Sequence, residues 1–247
     1  MQRYLTFQIY GPMQSWGAVA VGEVRPSFPR PSRSGVLGLL AGALGIRRNE
    51  DERHAELERA YAMAVRPATS GARMSDYHTI QCGKRLARRT YRTRADEVGG
   101  LIPKSEDLGT LLSTREYLTD SAFAVCVWLR EGTPPHSLED LADALRRPVF
   151  TPCLGRKSCP PALPFNPVVE AYPGPLEALA AYEVDPGVLD ALGATPAAEA
   201  YTSEKLSGWQ EQTEVRDAPL NRTRWQFGLR PEYRVAMPAG AQDEGGS

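Results

Sequence analysis

Arginines crowd a short proline-rich stretch near the N-terminus, where they could bind phosphate groups. In RPSFPRPSRS, Arg25, Arg30 and Arg33 alternate with prolines, and Ser32 or Ser34 can cap the helix that follows. A serine-capped helix start offers backbone N–H donors and the positive end of the helix dipole, and arginine adds charge-assisted donors for phosphate oxygens. Because proline keeps the backbone extended, we expect the three arginines to project from the surface. A solvated loop with surface arginines is an equally open alternative.

A second cationic segment, KRLARRTYRTR, spans residues 84–94 and carries an aromatic side chain among its charges. A groove that follows single-stranded nucleic acid needs this combination of cations and aromatic rings. A solvated hairpin would look similar, but no acidic residue occurs between Asp76 and Asp96, which favours a ligand as the counter-charge. The candidate binding residues of this segment are Lys84, Arg85, Arg88 and Arg89.

Residues just before this segment raise the question of catalysis. Tyr77, His78 and Lys84 could cleave RNA without a metal by activating the 2′-hydroxyl and stabilising the transition state. Consecutive residues of a strand point to opposite faces, however, and a local hydrogen bond is the expected role of His78. The four cysteines and three histidines show no zinc-site spacing. We therefore expect no catalytic set, no cofactor and no metal.

Two further cations follow a short predicted strand, Val149–Leu154. Arg156 and Lys157 lie on the turn after it, and we expect this turn to approach the loop GPMQSWG that follows the first strand. The letters GRKS in this turn do not form a nucleotide-binding P-loop, because the glycine spacing is absent. In GPMQSWG, Trp16 could stack on a base or fill the core, and the core is the interpretation that a single tryptophan favours.

The composition is that of an ordinary globular protein. The chain has 247 residues, 42% hydrophobic and 24% charged, with a formal net charge of -1, which excludes an overall polycation but not a local basic stripe. No targeting segment is evident, and the longest apolar run, Val36–Ile46, is too short to span a bilayer. We expect a cytoplasmic protein that does not bind membranes.

Apolar periodicity predicts the elements that must position these residues. The order is strand, helix, strand, strand, helix, strand, which is the ferredoxin-like (RRM-related) pattern of an α+β fold. The predicted strands are Arg3–Gly11, Tyr61–Ala68, Asp120–Arg130 and Val149–Leu154, and the predicted helices are Gly35–Ile46, one within NEDERHAELERAY, and Ser137–Pro148. Strand Asp120–Arg130 is apolar on both faces, so we place it at the centre of the sheet.

Regions outside this pattern complete the predicted organisation. Residues 1–160 form the ferredoxin-like domain with an insertion at 72–116 that contains the basic segment, and residues 161–247 form a strand-rich extension packed on the same domain, with a loose tail from about 238. Gly35, Gly38, Gly42 and Gly45 recur at spacings of three and four, along one side of the first helix. Tight packing of this helix on its own sheet explains these glycines better than close approach of another backbone.

Six segments, in order, carry a resemblance to a known family: GPMQSWG, RPSRSGVLGLLAGALGI, DYHT, REYLTDSAFAVCVWL, TPCLGRKSCP and RWQF. They closely resemble the Cas-five family of repeat-associated RNA-binding proteins, in its type I-E branch, which belongs to the CRISPR surveillance complex Cascade. The likeness runs from the first strand to about Phe227. The resemblance implies a ferredoxin-like domain with an inserted β-hairpin thumb, in agreement with the basic insertion.

The resemblance also implies a function and partners. Family members hold the 5′ handle of the CRISPR RNA, contact the large subunit and the backbone subunit, and reach target DNA through the assembled complex in antiviral defence. Residues 25–34 and the loop containing Gln14 and Trp16 would line the handle pocket, while Tyr77, His78 and residues 84–94 would form the thumb. Type I-C relatives cleave precursor RNA, whereas type I-E members leave cutting to a separate endoribonuclease. A non-catalytic subunit is the leading hypothesis, with an endoribonuclease and a pure protein-interaction module as alternatives.

Overall fold

The first strand and the first helix follow from local sequence. The computed structural model describes residues 1–20, 22–83, 93, 95, 108–221 and 226–238; strand β1 spans Gln2–Gln14 and helix α1 spans Arg33–Ala43. The side chain of Ser32 caps α1 by accepting a hydrogen bond from the backbone N–H of Gly35 at 3.2 Å. The helix therefore begins two residues before the predicted start and ends three residues before the predicted end.

Ten further strands and four further helices follow within the described ranges. The strands are β2 (Trp16–Gly17), β3 (Val24–Arg25), β4 (Ser27–Phe28), β5 (Tyr61–Thr69), β6 (Ala72–Gly83), β7 (Leu108–Leu129), β8 (Val168–Tyr172), β9 (Glu199–Thr202), β10 (Trp209–Asn221) and β11 (Gln226–Ala236). The helices are α2 (Asp51–Ala60), α3 (Leu138–Arg146), α4 (Pro175–Ala181) and α5 (Pro186–Ala191). Ser137 and Asp140 form a capping box at the start of α3, which confirms the predicted capping serine.

Across the described part of the chain, nine strands form one large sheet. Seven follow the order β10-β11-β9-β5-β7-β1-β8, with antiparallel neighbours, while β3 and β6 pair with the outer part of β7. Strand β7 is central, as predicted, and its alternate residues fill two cores: Phe123 and Val125 face α1, α2 and α3, whereas Ala124 and Cys126 face α4. The protein is thus a mixed α/β structure with a large antiparallel sheet.

Strand β7 is long because it serves both the sheet and a projecting hairpin. Its second half pairs with β5, and its first half pairs with β6, so β5 and β6 lie end to end along one partner. Between them, Gly71 has φ +59° and Asp120 has φ 53°. A Cβ at Gly71 would lie 1.9 Å from the carbonyl oxygen of Thr119, so only glycine fits at this junction.

The segment predicted as the fourth strand has another structure. Residues 149–154 form no strand, because the backbone N–H groups of Val149 and Phe150 donate to the carbonyls of Ala43 and Gly42 at the end of α1, at 2.9 and 3.2 Å. Strand β8 instead pairs with β1, with Arg3 opposite Ala171. The prediction of a strand at Val149–Leu154 is therefore wrong, although this segment still approaches the first helix.

Several sequence predictions fall outside what the structure describes. These are the cationic residues 84–92, most of the segment up to 107, and the tail beyond residue 238. Among the described helices, none is long and apolar enough to cross a bilayer. The predicted cytoplasmic location stays a prediction.

Candidate nucleic-acid interface

Four segments that lie far apart in the sequence meet around one groove of about 690 Å³. They are the loop after β1, the exposed side of α1, the loop between α3 and β8, and the facing ends of β10 and β11. This volume falls within the range of about 300–1,000 Å³ that is typical of ligand pockets. The residues that line it include Trp16, Ala18, Ser34, Gly38, Gly42, Phe150, Cys153, Arg156, Arg216, Asp217, Gln226 and Phe227.

Two of the walls are joined through the backbone. The N–H of Ser15 donates to the carbonyl of Leu154 at 3.0 Å, and the N–H of Leu154 donates to the carbonyl of Cys159 at 2.7 Å. Gly155 has φ +86°, and a Cβ there would lie 1.8 Å from the carbonyl oxygen of Ser15. The turn that carries Arg156 thus lies against the loop after the first strand, as the sequence predicted.

Trp16 and Gln14 support the groove from inside. Trp16 is 1% exposed, its ring would contact a Cβ at Gly35, and its Nε1 donates to Gln14 Oε1 at 3.0 Å. The amide of Gln14 donates in turn to the carbonyl of Ser121. The core interpretation of Trp16 is confirmed. The polar groups of both side chains are used within the protein, and the ligand contacts predicted for them stay predictions.

Arg33 does not project from the surface, so this prediction is wrong. The side chain is 6% exposed, its guanidinium forms an ion pair with Glu58, and Nη2 donates to the carbonyls of Glu58 and Tyr61 at 2.6 and 2.9 Å. Burial, together with the nearby charges of Arg130 and Arg230, lowers the pKa of Arg33 to about 10. Because Arg33 lies on the first turn of α1, its side chain reaches α2 and links these two helices.

Arg30 is also engaged within the protein. Its guanidinium pairs with the carboxylate of Glu232 on β11 and lies 3.5 Å from the ring centroid of Tyr201 on β9. The expectation that Arg30 projects freely is therefore corrected: a nearby carboxylate and an aromatic face hold it against the C-terminal strands. Only one of the three predicted arginines, Arg25, is exposed.

The N-terminus of α1 is occupied by groups of the protein itself. The N–H of Gly35 donates to Ser32 Oγ, and the N–H of Ser34 donates to a carboxylate oxygen of Asp217 at 3.3 Å. Asp217 is buried and forms an ion pair with Arg230 at 2.5 Å. A carboxylate of β10 therefore lies at the helix start where a phosphate was expected, and the predicted phosphate site stays a prediction.

Three cations lie at the mouth of the groove. Arg156 lies 4.7 Å from the ring centroid of Tyr117, and its Nη2 donates to the carbonyl of Arg25 at 3.0 Å. Arg156 is half-buried, and its Nη1 is a buried atom with no hydrogen-bond acceptor among the described residues. Lys157 is exposed beside it. Arg25, Arg156 and Lys157 are therefore brought together, although 131 residues separate the first two.

The arginine stretch also reaches the projecting hairpin. Arg25 on β3 is paired in register with Arg115 on β7, and Arg115 is paired on its other side with Asp76 on β6. Tyr77, next along β6, is 64% exposed. A ribbon of three strands therefore connects the mouth of the groove with the base of the hairpin.

His78 makes the local contact that was expected of it. Its Nδ1 lies 2.6 Å from the carboxylate of Asp76, two residues earlier on the same strand. Tyr77 and His78 are consecutive strand residues, so their side chains point to opposite faces. The candidate cations Lys84, Arg85, Arg88 and Arg89 lie outside the described residues, so the roles predicted for them stay predictions.

Sequence reasoning missed several residues of the groove. Phe150, Arg216 and Asp217 reach it from segments that the sequence pattern predicted only as strands. Only the short segment RWQF, which ends at Phe227, gave a signal, through its place in the family resemblance. Within the described residues, no group of three or more His, Cys, Asp or Glu side chains is arranged to hold a metal ion.

Comparison of the sequence with known proteins assigns the chain to one family. The family model of CRISPR-associated protein (Cas_Cas5) matches residues 4–232. The chain is 33% identical over 246 residues to "CRISPR system Cascade subunit CasD" of Escherichia coli (strain K12), covering 95% of this chain and 96% of that protein.

Solved structures agree with this relationship. A chain of a "CRISPR RNA-guided surveillance complex" is 28% identical, with a TM-score of 0.64, and the match covers 96% of this chain and 91% of that one. A second structure, described as "Crystal structure of Cas protein", is 26% identical with a TM-score of 0.56, and the match covers 95% of both chains. The groove motifs thus lie within a match that spans nearly the whole chain.

Proposed function

Since the chain belongs to the Cas-five family of CRISPR-associated proteins and has a role in a CRISPR surveillance complex, we propose that it is the RNA-binding subunit that holds the 5′ handle of the guide. In this proposal it cuts no RNA and links the large subunit to the backbone subunits. One observation carries the proposal: four distant segments, all but one within the motifs of the resemblance, build one groove whose mouth is cationic.

The chemistry of this surface fits a ribonucleotide chain. Arg25, Arg156 and Lys157 can pair with phosphates, which gives position, while the groove behind them is lined by glycine and aromatic residues, which suits unstacked bases. Because the handle has the same sequence on every guide, a fixed groove for it would identify the end of the complex without reading the variable spacer.

We also propose that the centre of the sheet is a ferredoxin-like unit with an elongated hairpin as its thumb. The order β5-β7-β1-β8 with antiparallel neighbours supports this assignment, as does the position of α1 and α2 between β1 and β5 and of α3 between β7 and β8. The thumb would then be the outward continuation of the hairpin that joins the second and third strands of the unit.

The cations at the mouth of the groove provide the experiment. In the assembled complex, the double substitution Arg25→Glu with Arg156→Glu should expose the 5′ handle to nuclease. Arg59 is an exposed arginine on α2, and Arg59→Glu is the control, because it makes the same type of charge reversal away from the groove and should leave the handle protected. Handle protection that survives the double substitution, with normal assembly, overturns the proposal. Arg30 and Arg33 are unsuitable here, because their substitution would disturb internal ion pairs.

The endoribonuclease alternative is decided by a cleavage assay. The purified full-length chain is incubated with labelled CRISPR repeat RNA, and our proposal expects binding without a specific cut. A specific cut that disappears in His78→Ala would instead assign catalysis to the hairpin. A complex that keeps its composition after RNase treatment would favour the protein-interaction alternative.

A further inference from the structure

A second cavity lies on the face of the sheet that α4 covers. It has a volume of about 340 Å³ and lies between the end of β5 and the segment that runs from α4 to α5. Ala124, which lines it, belongs to the core that faces α4, whereas the groove is built on α1 at the other face. Small or apolar side chains form most of its wall, including Ala68, Ala180, Val184 and Leu189. We call it the Arg66 cavity, after the one cation among the described residues that line it.

Arg66 holds its guanidinium at this cavity without a carboxylate partner. The side chain is half-buried, and its Nε donates to the carbonyl of Ala197 at 2.9 Å. Among the described residues this is the one hydrogen bond that the side chain makes, and it forms no ion pair. Burial lowers the pKa of Arg66, and no neighbouring charge contributes to this shift. Arg33, by contrast, is buried together with Glu58. The partial loss of water around Arg66 is therefore not balanced by an anion of the described chain.

The guanidinium of Arg66 is fixed in place by its own surroundings. Arg66 lies opposite Ala124 of β7, and the N–H of Ala197 donates to the carbonyl of Pro67 at 2.8 Å. Strand β5 and the loop of Ala197 thus hold the Nε side of the guanidinium, while its Nη groups donate to no acceptor among the described residues. The parallel N–H groups of a guanidinium match the two oxygens of a carboxylate, and a guanidinium that is already held loses less freedom when it binds one.

The charges at the cavity favour a single carboxylate over a phosphate chain. The exposed side chain of Glu183 also lines the cavity, and it forms no ion pair with Arg66. A phosphodiester backbone would be repelled by this carboxylate, and surfaces that bind RNA collect several cations, whereas this cavity has one. Its alanine and leucine wall suits an apolar side chain. A protein segment supplies both groups, because a carboxylate and an apolar side chain can be neighbours on one peptide.

From these contacts we propose that the Arg66 cavity docks a segment of another subunit in which an Asp or Glu stands beside an apolar side chain. The carboxylate pairs with Arg66, and the apolar side chain lies against Ala180 and Leu189. The inference rests on the proposed function only in placing the chain inside a complex, and it adds the position and the chemistry of one protein contact. Because the cavity and the groove lie on opposite faces of the sheet, both can be occupied at the same time.

A large side chain at the mouth of the cavity tests the docking. Ala180 and Ala181 are adjacent exposed residues of α4, and Ala180 lines the cavity whereas Ala181 does not. The fluorescently labelled full-length chain is titrated with the complex of the remaining subunits and guide RNA. Ala180→Trp should weaken this binding by about tenfold or more, as for the loss of a central interface contact, whereas Ala181→Trp should bind like the unmodified chain. Equal affinities of the two variants overturn the inference.

Charge reversal and cross-linking identify the group that is bound. Arg66→Glu should weaken the same binding by about tenfold or more, and Arg66→Lys should weaken it less, because lysine keeps the charge but not the parallel N–H groups. A photoreactive benzophenone side chain at position 181, next to the cavity, is then cross-linked in the assembled complex, and the attached peptide is sequenced. We expect a segment with an Asp or Glu whose replacement by Lys restores the binding of Arg66→Glu. A cross-link to the guide RNA or to a segment without an acid, or an acid whose replacement restores nothing, overturns the inference.

The RNA affinity of the isolated chain separates this inference from the proposed function. Ala180→Trp and Arg66→Glu should bind labelled single-stranded CRISPR repeat RNA as tightly as the unmodified chain. A loss of RNA affinity in both variants overturns the inference alone, because the cavity would then bind RNA. Failure of the unmodified chain to bind RNA, alone and in the complex, overturns the proposed function and leaves the docking result standing. Thermal unfolding shows which variants are folded, and Ala180→Trp keeps the internal contact of Arg66 and decides the question even if Arg66→Glu does not fold.

Discussion

The carboxylate of Asp217 accepts a hydrogen bond from the backbone N–H of Ser34 at 3.3 Å, across 183 residues of sequence. The same carboxylate pairs with Arg230, and Arg230 contacts Glu232, which pairs with Arg30. A chain of charges therefore attaches the strands β10 and β11 to the start of α1. This chain holds the fourth wall of the groove in place.

Loss of Asp217 should destabilise the fold. Asp217→Ala leaves Arg230 buried without this carboxylate, and we expect the free energy of unfolding to fall by about 3 kcal/mol or more, as for one member of a buried ion pair. Urea denaturation measures the change. Glu214→Ala, an exposed carboxylate on the same strand, should stay within about 0.5 kcal/mol of the unmodified protein. Equal stability of the two variants would contradict the anchoring role.

Arg33 should prove to be a structural residue. Arg33→Met leaves Glu58 without its partner, so we expect a loss of about 3 kcal/mol, at the lower end for buried pairs because Glu58 keeps some contact with water. The double variant Arg33→Met with Glu58→Leu should recover much of this loss, since two apolar side chains leave no unpaired charge. A double variant less stable than the single one would show that the pair itself is required.

Gly155 should tolerate no side chain. Gly155→Ala combines a left-handed backbone with a contact to the carbonyl of Ser15, and we expect a loss of at least about 1–3 kcal/mol and a displaced loop. The RNA affinity should fall as well, because Arg156 follows directly. Gly193→Ala, which has a similar φ of +57° but open space, is the matched control and should lose less.

The free energy of unfolding should fall at alkaline pH because Tyr61 ionises more readily in the unfolded chain. Burial raises the pKa of this phenol to about 12, whereas its ordinary value is 10, so the unfolded chain ionises first. The stabilisation is complete below pH 10 and is lost as the pH rises towards 12. Denaturant unfolding at pH 9 and pH 11 measures it. Tyr61→Phe should reduce the stability difference between these two conditions, and an unchanged difference would contradict the assignment.

RNA binding should depend on salt in proportion to the phosphates bound. For single strands the logarithm of the binding constant falls with the logarithm of salt concentration by roughly 0.7 per phosphate contact. Arg156→Ala and Lys157→Ala should each lower this slope by about that amount, whereas Gly42→Leu should weaken binding without changing the slope. A salt-independent affinity would contradict phosphate contacts at the mouth of the groove.

Local elements of the fold could be predicted from the sequence. Ser32 and Ser137 cap helices close to the predicted positions, and β5 and β7 follow their apolar patterns, because these features depend on neighbouring residues. Residues 149–154 also have an apolar, strand-like composition. Their backbone hydrogen bonds go to the end of α1, a tertiary contact that composition does not reveal.

The location of the candidate groove could be predicted from the sequence, but the contacts of its individual side chains could not. The loop of Trp16, the glycine helix and the turn of Arg156 meet as expected. The fate of each arginine depended on carboxylates remote in sequence: Glu58 buries Arg33, and Glu232 holds Arg30. Side-chain type alone does not distinguish a guanidinium with an internal partner from one that remains exposed.

The junction at Gly71 and Asp120 sets the direction in which the hairpin leaves the body of the protein. Because β7 crosses this junction without a break, the hairpin strand and the segment between Phe123 and Val127 at the centre of the sheet are one continuous element. The buried centre of the sheet and the exposed hairpin therefore share a single strand, with no loop between them.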